Sequence, residues 1–362
     1  MINQMRPHLH SALSLFFGLP PVFIKHIADR LGCGLAVMMQ SCYHLFDTDE
    51  EWGVVGGLLD IASQHQGGRP FVFNGILSCL RRGIPTLPLL EMNFVNYSSS
   101  LTNEERGPDM GVEGASLFSR LLTKFVFGSY EMDTFFSVPA MHCLEHVYWY
   151  LLSLSNDAST LEDVASHLER GDAPVPDEEL WQSICMGCYS ICLSPDPAAA
   201  LQGSECLQRF LLNTEIGSVS DFRWISILDT ISMRHPPATM QDVRTKLCQL
   251  VGKLLLAIIP HLAKRKENWN ELTDIINRLA PIVAENLREG RRGSVQPLFE
   301  TTVETVTNLS NVMSMPEFDE SGFSRWSGET LFAELEKVGA CGGDAKLMAA
   351  TRSRSGQTSS AS

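Results

Sequence analysis

Helical periodicity is the sequence feature that most limits the folds open to this chain. Over long stretches, apolar residues recur three and four positions apart, which places them on one side of an α-helix. Two stripes show the pattern: Trp52, Val55, Leu59 and Ala62 follow one helix start, and Val243, Leu247, Leu250, Val251, Leu254, Ile258 and Leu262 form the longest stripe. Both stretches are predicted to be amphipathic helices.

The start of the first of these helices has its own signature. Thr48 and Glu51 stand three residues apart, so each side chain can accept a hydrogen bond from the other's backbone N–H. Alternating polar and apolar runs, which would indicate strands, are scarce. The one ambiguous run, residues 71–73 (FVF), is predicted helical. Two further stripes are Leu272, Ile275, Ile276, Leu279, Ile282 and Val283, and Phe299, Val303, Val306, Leu309 and Met313.

The predicted helices come in pairs with short joints. Residues 194–197 (SPDP) and 235–237 (HPP) interrupt the helical pattern. Pairs start near Asp177, Ser220 and Glu267, at spacings of about 43 and about 47 residues, which match the period of HEAT and armadillo repeats. Because one such pair cannot bury its apolar faces alone, neighbouring pairs must stack. We therefore expect an all-α, HEAT/armadillo-like α-solenoid.

Composition divides this chain into five segments. Residues 1–81 are predicted N-terminal helical repeats, and residues 82–114, rich in Gly, Pro, Ser and Asn, a loop or insert. Residues 115–176 are a helical segment with an acidic linker, and residues 177–338 the C-terminal repeats. Residues 339–362, mainly Gly, Ser and Ala with scattered basic residues, are expected to be a disordered tail.

Net charge and cysteine content limit the classes of partner and the cellular compartment that we expect. The net charge of −14 argues against nucleic acid as a general partner, because phosphate binding needs a surplus of cations. Lys264, Arg265 and Lys266 form the one dense basic run, which we interpret as a solvated helix end; a small anionic-lipid or acidic-partner patch is the alternative. The ten cysteines do not follow a disulfide framework, so a reducing compartment is expected.

No long apolar segment suggests a membrane span. The strongest apolar run, residues 254–259, is far shorter than the roughly 20 residues that a spanning helix needs. Any membrane contact is therefore expected to be peripheral.

The sharpest chemical motif is the H-x-x-E-H pattern of His142, Glu145 and His146. Histidines four residues apart on a helix can share a zinc ion while the glutamate activates water. The alternative is a pair of solvent-facing histidines on an amphipathic helix, which we favour because nothing marks a further ligand. No catalytic residue, cofactor or metal site is predicted, and these three residues remain the only metal candidates.

Other reactive or flexible residues are expected to pack in the core. Cys185, Cys188 and Cys192 could suggest metal or redox chemistry, but a structural zinc site wants four ligands. They share one helical stripe with Trp181, Ile184 and Ile191, so they are predicted to take the place of leucines. Three glycines are predicted to allow close approach of helices: Gly53, Gly56 and Gly57. Five tryptophans near helix starts are predicted to pack between repeats: Trp52, Trp181, Trp224, Trp269 and Trp326.

Two regions of the chain resemble a known family. The segments 27–31 (IADRL), 49–52 (DEEW) and 57–61 (GLLDI) form a leucine-rich helix, an acidic cap before a tryptophan, and a leucine pair. A second match includes Trp181 and residues 206–212 (CLQRFLL) and ends near Leu309. These features resemble the helical region that follows the catalytic domain in the large Golgi ARF guanine-nucleotide exchange factors, the GNOM and Golgi brefeldin-A-resistance family.

The resemblance implies a regulatory or scaffolding region that acts beside an exchange domain. It implies partners in the ARF and Golgi trafficking machinery, peripheral membrane contact, and a cytoplasmic location at the Golgi. We find no counterpart of the exchange domain or of its glutamate-bearing motif, so no catalytic residue is carried over. The chain is either a fragment of a longer factor, which the start within helical material favours, or a short member without exchange activity.

Two other functions remain open. A general HEAT or armadillo adaptor unrelated to ARF would have the same fold. A zinc hydrolase that uses His142, Glu145 and His146 is the more remote alternative.

Overall fold

The computed structural model describes residues 2–43, 46, 48–83, 111–127, 134–155, 175, 177–291 and 296–313. Within these residues there are twelve α-helices and three short 3-10 turns, and no strand, so the all-α prediction is confirmed. Backbone contacts divide the chain into two compact units, residues 1–170 and 171–362. The tail predicted for 339–362 lies outside the described residues, as do most of the predicted loop 82–114 and of the acidic linker in segment 115–176. The described ends of that loop, residues 82–83 and 111–114, are helical rather than irregular.

Six helices lie within the described residues of the first unit: α1 Ile2–Ser14, α2 Pro21–Cys42, α3 Asp49–Ser63, α4 Arg69–Gly83, α5 Gly111–Phe127 and α6 Thr134–Ser155. Contacts run from α1 to α3 to α5 and from α2 to α4 to α6. Helix α3 pairs with α4 and α5 pairs with α6, and α2 also contacts α3.

The predicted start of α3 is confirmed. The backbone N–H of Glu51 donates to Thr48 Oγ1, and the N–H of Thr48 donates to Glu51 Oε2, each at 3.3 Å. Such reciprocal bonds satisfy two of the donors that a helix start leaves open. Its apolar stripe is buried as predicted, and residues 71–73 lie within helix α4. The ring of Trp52 contacts Phe118 of α5 edge-on, with centroids 5.9 Å apart.

The three glycines of α3 have different surroundings. A Cβ on Gly56 would lie 2.2 Å from Leu117 Cδ1 of α5, and one on Gly57 would lie 2.9 Å from Phe17 Cζ. The prediction that glycines allow close approach of helices is therefore confirmed at Gly56, whereas Gly57 faces a ring of the 3-10 turn Leu15–Gly18. The prediction is wrong for Gly53, which is exposed and has no atom within 4 Å of its would-be Cβ.

The second unit repeats the same pairing. Contacts run from α7 to α9 to α11 and from α8 to α10 to α12, and each pair is closed by contacts between its own two helices. The helices are α7 Glu178–Cys192, α8 Pro197–Leu212, α9 Asp221–Met233, α10 Gln241–Leu262, α11 Trp269–Arg291 and α12 Gln296–Met313. The predicted joints at 194–197 and 235–237 and the predicted pair starts are confirmed.

Buried positions of this unit recur at the predicted period. The core of α7 (Trp181, Ile184, Cys185 and Cys188) repeats 43 residues later in α9 as Trp224, Ile227, Leu228 and Ile231, and 48 residues after that in α11 as Leu272, Ile275, Ile276 and Leu279. Successive first helices therefore present the same face to the interior of the unit. The predicted apolar stripe of α10 is buried along its whole length.

Helix α12 departs from its predicted stripe. Phe299 and Val303 are only half-buried, while Leu298, Thr301, Thr302 and Thr305 face the interior. The threonines can be buried because they lie against Gly252 and Cys248 of α10, where a larger side chain would clash. The buried hydroxyl of Thr302 donates to the Leu298 carbonyl at 2.6 Å, which removes the cost of its burial.

A matched pair of glycine substitutions tests the packing of α7 on α8. A Cβ on Gly203 would lie 2.9 Å from the Cys188 carbonyl oxygen and 3.0 Å from the Cys192 nitrogen. Because neither backbone atom can move freely, Gly203→Ala should lower the free energy of unfolding by about 1–3 kcal/mol. Gly53→Ala should raise it by up to about 1 kcal/mol, since its surroundings are open and alanine favours the helix. Urea denaturation measures both; a stabilising Gly203→Ala would contradict the described approach.

Candidate functional site

The H-x-x-E-H motif lies on α6, a helix that packs against α4 and α5 in the first unit. Residues on all sides of α6 are buried, among them Met141, Leu144, Val147 and Trp149. Glu145 is itself buried, and its Oε2 lies 3.9 Å from His142 Nδ1. Both histidines are half-buried. The expectation that they face solvent is therefore wrong, because the helix that carries them is a core helix rather than a surface one.

Burial governs the protonation of this motif. Desolvation lowers the pKa of His146 to about 4; the Glu145 carboxylate opposes this and the His142 ring adds to it. At neutral pH the imidazole of His146 is therefore neutral, the form that can bind a metal. A zinc site needs at least three protein ligands. Among the described residues no group of three or more His, Cys, Asp or Glu side chains is placed to share a metal ion.

The cysteine stripe of α7 lies in the core, as predicted. Cys185, Cys188 and Cys192 are each at most 1% exposed. Burial, followed by the neighbouring Cys206 thiol, raises the pKa of Cys185 and of Cys192. A raised pKa keeps a thiol protonated, whereas nucleophilic and metal-binding cysteines act as thiolates. The stripe therefore acts as small apolar packing between α7 and α8.

Polar side chains join the starts of successive helix pairs in the second unit. Glu178 at the start of α7 accepts hydrogen bonds from the Ser220 hydroxyl, at 2.6 Å, and from the Ser220 N–H, at 3.2 Å. The next residue, Asp221, accepts from Asn268 Nδ2 at 2.8 Å, just before α11. One residue of each pair start is thus bonded to the start of the next pair.

Two arginines make further bonds between first helices. Arg223 of α9 donates to Gln182 and Glu179 of α7. Arg278 of α11 donates to Asp229 and, at 3.1 Å, to the hydroxyl of Ser232 on α9. These bonds join residues 41 to 49 positions apart in the sequence, so they fix the register of each pair on the previous one.

The basic run lies at the C-terminal end of α10, exposed as predicted. The guanidinium of Arg265 pairs with Asp221 at 3.0 Å, and the Lys266 ammonium lies 5.6 Å from the centroid of the Trp269 ring. His261 Nε2 also lies 3.4 Å from Asp221 Oδ1. Two of the three basic side chains therefore have partners within this unit, which favours the helix-end interpretation over a dedicated anion site.

A buried arginine is the least expected polar group of the second unit. Arg244 of α10 is 2% exposed and donates to Asn286 Oδ1 of α11 at 2.7 Å. Nearby His235 is half-buried; burial, and secondly the Arg244 charge, lowers its pKa to about 4. The sequence around Arg244, within the apolar stripe of α10, gave no sign of its partners, since Asn286 is 42 residues away in the sequence.

One described helix, α10, is long and apolar enough to cross a membrane by those two criteria. Half of the residues in its most apolar stretch are buried inside the protein, and α8 and α12 pack against it. These contacts are those of a core helix in a folded unit.

Comparisons with known proteins give no relative. No family model matches the chain, and searches of curated proteins and of solved structures find no match.

The lowered pKa of His146 predicts a pH dependence of stability. Between pH 6.5, the usual histidine pKa, and about pH 4, the unfolded chain binds a proton at this residue that the folded chain does not bind. The free energy of unfolding should therefore fall as the pH falls through this window. His235 contributes in the same direction.

The variant His146→Gln cannot take up that proton, so its free energy of unfolding should change less with pH than that of the wild type. Thermal melts at intervals from pH 7 to pH 4 measure it, with the exposed His8→Gln as the control. Parallel pH profiles for wild type and His146→Gln would refute the assignment.

Proposed function

We propose that each unit is a short α-solenoid of stacked helix pairs and that the chain is a non-catalytic regulatory or scaffolding region of an ARF guanine-nucleotide exchange factor. In this role it binds proteins of the Golgi trafficking machinery at the cytoplasmic face of the Golgi, with peripheral membrane contact. Its contribution is to present surfaces that position partners beside an exchange domain, not to perform chemistry.

The observation that supports the solenoid is the pattern of contacts between the helices. Within each unit, first helices contact first helices and second helices contact second helices. Buried positions recur after 43 and 48 residues in the second unit, and the bonded pair starts lie 42 and 47 residues apart. Stacked pairs of this kind present extended surfaces, which repeat proteins use to bind partners.

The non-catalytic role is supported by what the described polar residues do. Glu178, Asp221, Arg223 and Arg278 bond neighbouring helices to one another, and the cysteine stripe packs the core. The ARF assignment itself is supported by the sequence resemblance of residues 27–61, and of the stretch from Trp181 to near Leu309, to the large Golgi exchange factors. A general helical-repeat adaptor is the second candidate, because the same stacked pairs would serve it equally well.

An exchange assay separates these two functions. The purified chain alone should not accelerate nucleotide release from a myristoylated ARF on vesicles. Added to a separately purified catalytic domain of a large Golgi exchange factor, it should change the exchange rate by about fivefold or more, the usual size of regulatory coupling. An unrelated helical-repeat protein of similar length is the control.

Either of two other results would contradict the proposal. Rapid exchange by the chain alone would mean that these helices carry an active surface. No effect on the exchange domain, together with no binding to it or to ARF, would favour the general adaptor.

A further inference from the structure

A groove runs between α1 and α2 in the first unit. It encloses about 360 Å³, which lies above the lower limit of roughly 300 Å³ for ligand sites. Its α2 side extends from Ile27 to Met38, which corresponds to about 16 Å or three helical turns. The lining consists of Leu13, Phe16, Ile27, Leu31, Leu35 and Met38, with Gly34 and Arg30.

The groove side of α2 is not the side that packs on α4. On the α4 side, a Cβ on Gly32 would lie 2.9 Å from the Gly68 carbonyl oxygen, and one on Gly75 would lie 2.9 Å from Ala36 Cα. The groove residues Leu31 and Leu35 are each one position away from Gly32 and Ala36, which is about 100° around the helix. Helix α2 also contacts α3. Leu31 and Leu35 are already buried, at 8% and 2% exposed, and form the floor of the groove, while Leu13, Phe16, Ile27 and Met38 are half-buried.

The elements that form this groove also carry most of the exposed apolar side chains. Eleven large apolar side chains are exposed among the described residues, and six of them belong to α1, the following 3-10 turn and α2. None of the six is among the residues that line the groove, so the apolar character of the groove rests on its own lining.

The charge of this region is opposite to that of the chain. Residues 1–42 contain the cations Arg6, Lys25 and Arg30 and the single carboxylate Asp29, in a chain whose net charge is −14. Arg30, an exposed residue, is the one charged side chain among those that line the groove. A complementary ligand is therefore apolar along its length and negatively charged at its edge.

We propose that this groove binds an amphipathic helix of a partner protein that carries carboxylates beside its apolar stripe. A helix matches the length of three turns, and its carboxylates would lie beside the exposed Arg30 in the lining of the groove. Helix-in-groove binding places side chains at i, i+3, i+4 and i+7 against such a surface. This inference rests on the proposed function only in that the chain docks proteins; it names the docking surface and the chemistry of the partner.

Two other occupants match the observations less well. A second copy of the chain that docked through the same groove would bring two Arg30 side chains together, in molecules that each carry a net charge of −14. A bilayer surface is flat, so it would contact exposed tips such as Val22 and Phe23 but not the groove floor formed by Leu31 and Leu35.

Two labelled peptides test the proposal by fluorescence anisotropy with the full chain. Each has about 15 residues with leucines at the helix-in-groove spacing; one carries glutamates beside the leucines and the other carries lysines at the same positions. The glutamate peptide should bind the wild-type chain more tightly than the lysine peptide.

Two variants locate the binding. Gly34 is exposed with no atom within 4 Å of its would-be Cβ, so Gly34→Leu should fold, fill the groove, and weaken binding of the glutamate peptide about tenfold or more, the loss from one unburied leucine. Gly53→Leu, an equally open helical glycine on α3, is the control and should bind as wild type. Arg30→Glu should weaken binding of the glutamate peptide and strengthen binding of the lysine peptide, each by up to about fivefold.

Several results would overturn the inference. Equal binding of both peptides, or unchanged binding by Gly34→Leu with its melting temperature preserved, would remove the groove as the site. If the wild-type chain bound phosphatidylserine vesicles but neither peptide, and Gly34→Leu lost the vesicle binding, the groove would be assigned to membranes. If the wild-type chain sedimented as a dimer and Gly34→Leu as a monomer, the groove would be assigned to a second copy.

The exchange assay and the peptide assay can fail separately. Groove-dependent peptide binding without any effect on ARF exchange would refute the ARF assignment and retain the docking groove. An effect on exchange that persists in Gly34→Leu, without peptide binding by the wild-type chain, would retain the proposed function and refute the groove.

Discussion

The contact between Trp181 and Trp224 sets the position of one helix pair on the next in the second unit. The two indole rings meet edge-on with centroids 4.9 Å apart, and both side chains are at most 1% exposed. Each ring is also anchored through its N–H: Trp181 donates to Thr214 Oγ1 at 2.9 Å and Trp224 to the Ile216 carbonyl at 3.2 Å. A helix pair that displayed such a ring to water would lose most of the benefit of burying it, so α7 requires α9 beside it.

Polar bonds then determine which register the apolar faces adopt. Apolar packing alone tolerates sliding by a helical turn, whereas the bonds of Ser220 to Glu178 and of Arg278 to Asp229 form in one register only. This division of roles gives a structural function to charged residues that bond between neighbouring pairs, among them Arg223 and Arg278.

The regular part of the fold was predictable because it depends on local pattern. The capping pair Thr48 and Glu51, the stripe of α10 and the pair starts near Asp177 and Ser220 were all predicted from residues near each other in the sequence. Features that depend on distant residues were not. The threonine face of α12 is buried because Gly252 lies opposite it, and Asn286 accepts from Arg244 across 42 residues. The burial of His142 and His146 likewise depends on helices that surround α6. The groove beside α2 was missed because it forms between α2 and residues of the preceding elements, Leu13 and Phe16.

The most direct test of the stacked-pair account is a double-mutant cycle on the tryptophan contact. Trp181→Leu, Trp224→Leu and the double variant would be unfolded in urea at neutral pH. If the rings position one pair on the next, the two substitutions should be coupled by about 0.5–1.5 kcal/mol, the usual value for a buried aromatic pair. Effects that add to within about 0.3 kcal/mol would show that the two residues do not interact, and would contradict the packing of α9 on α7 from which the account begins.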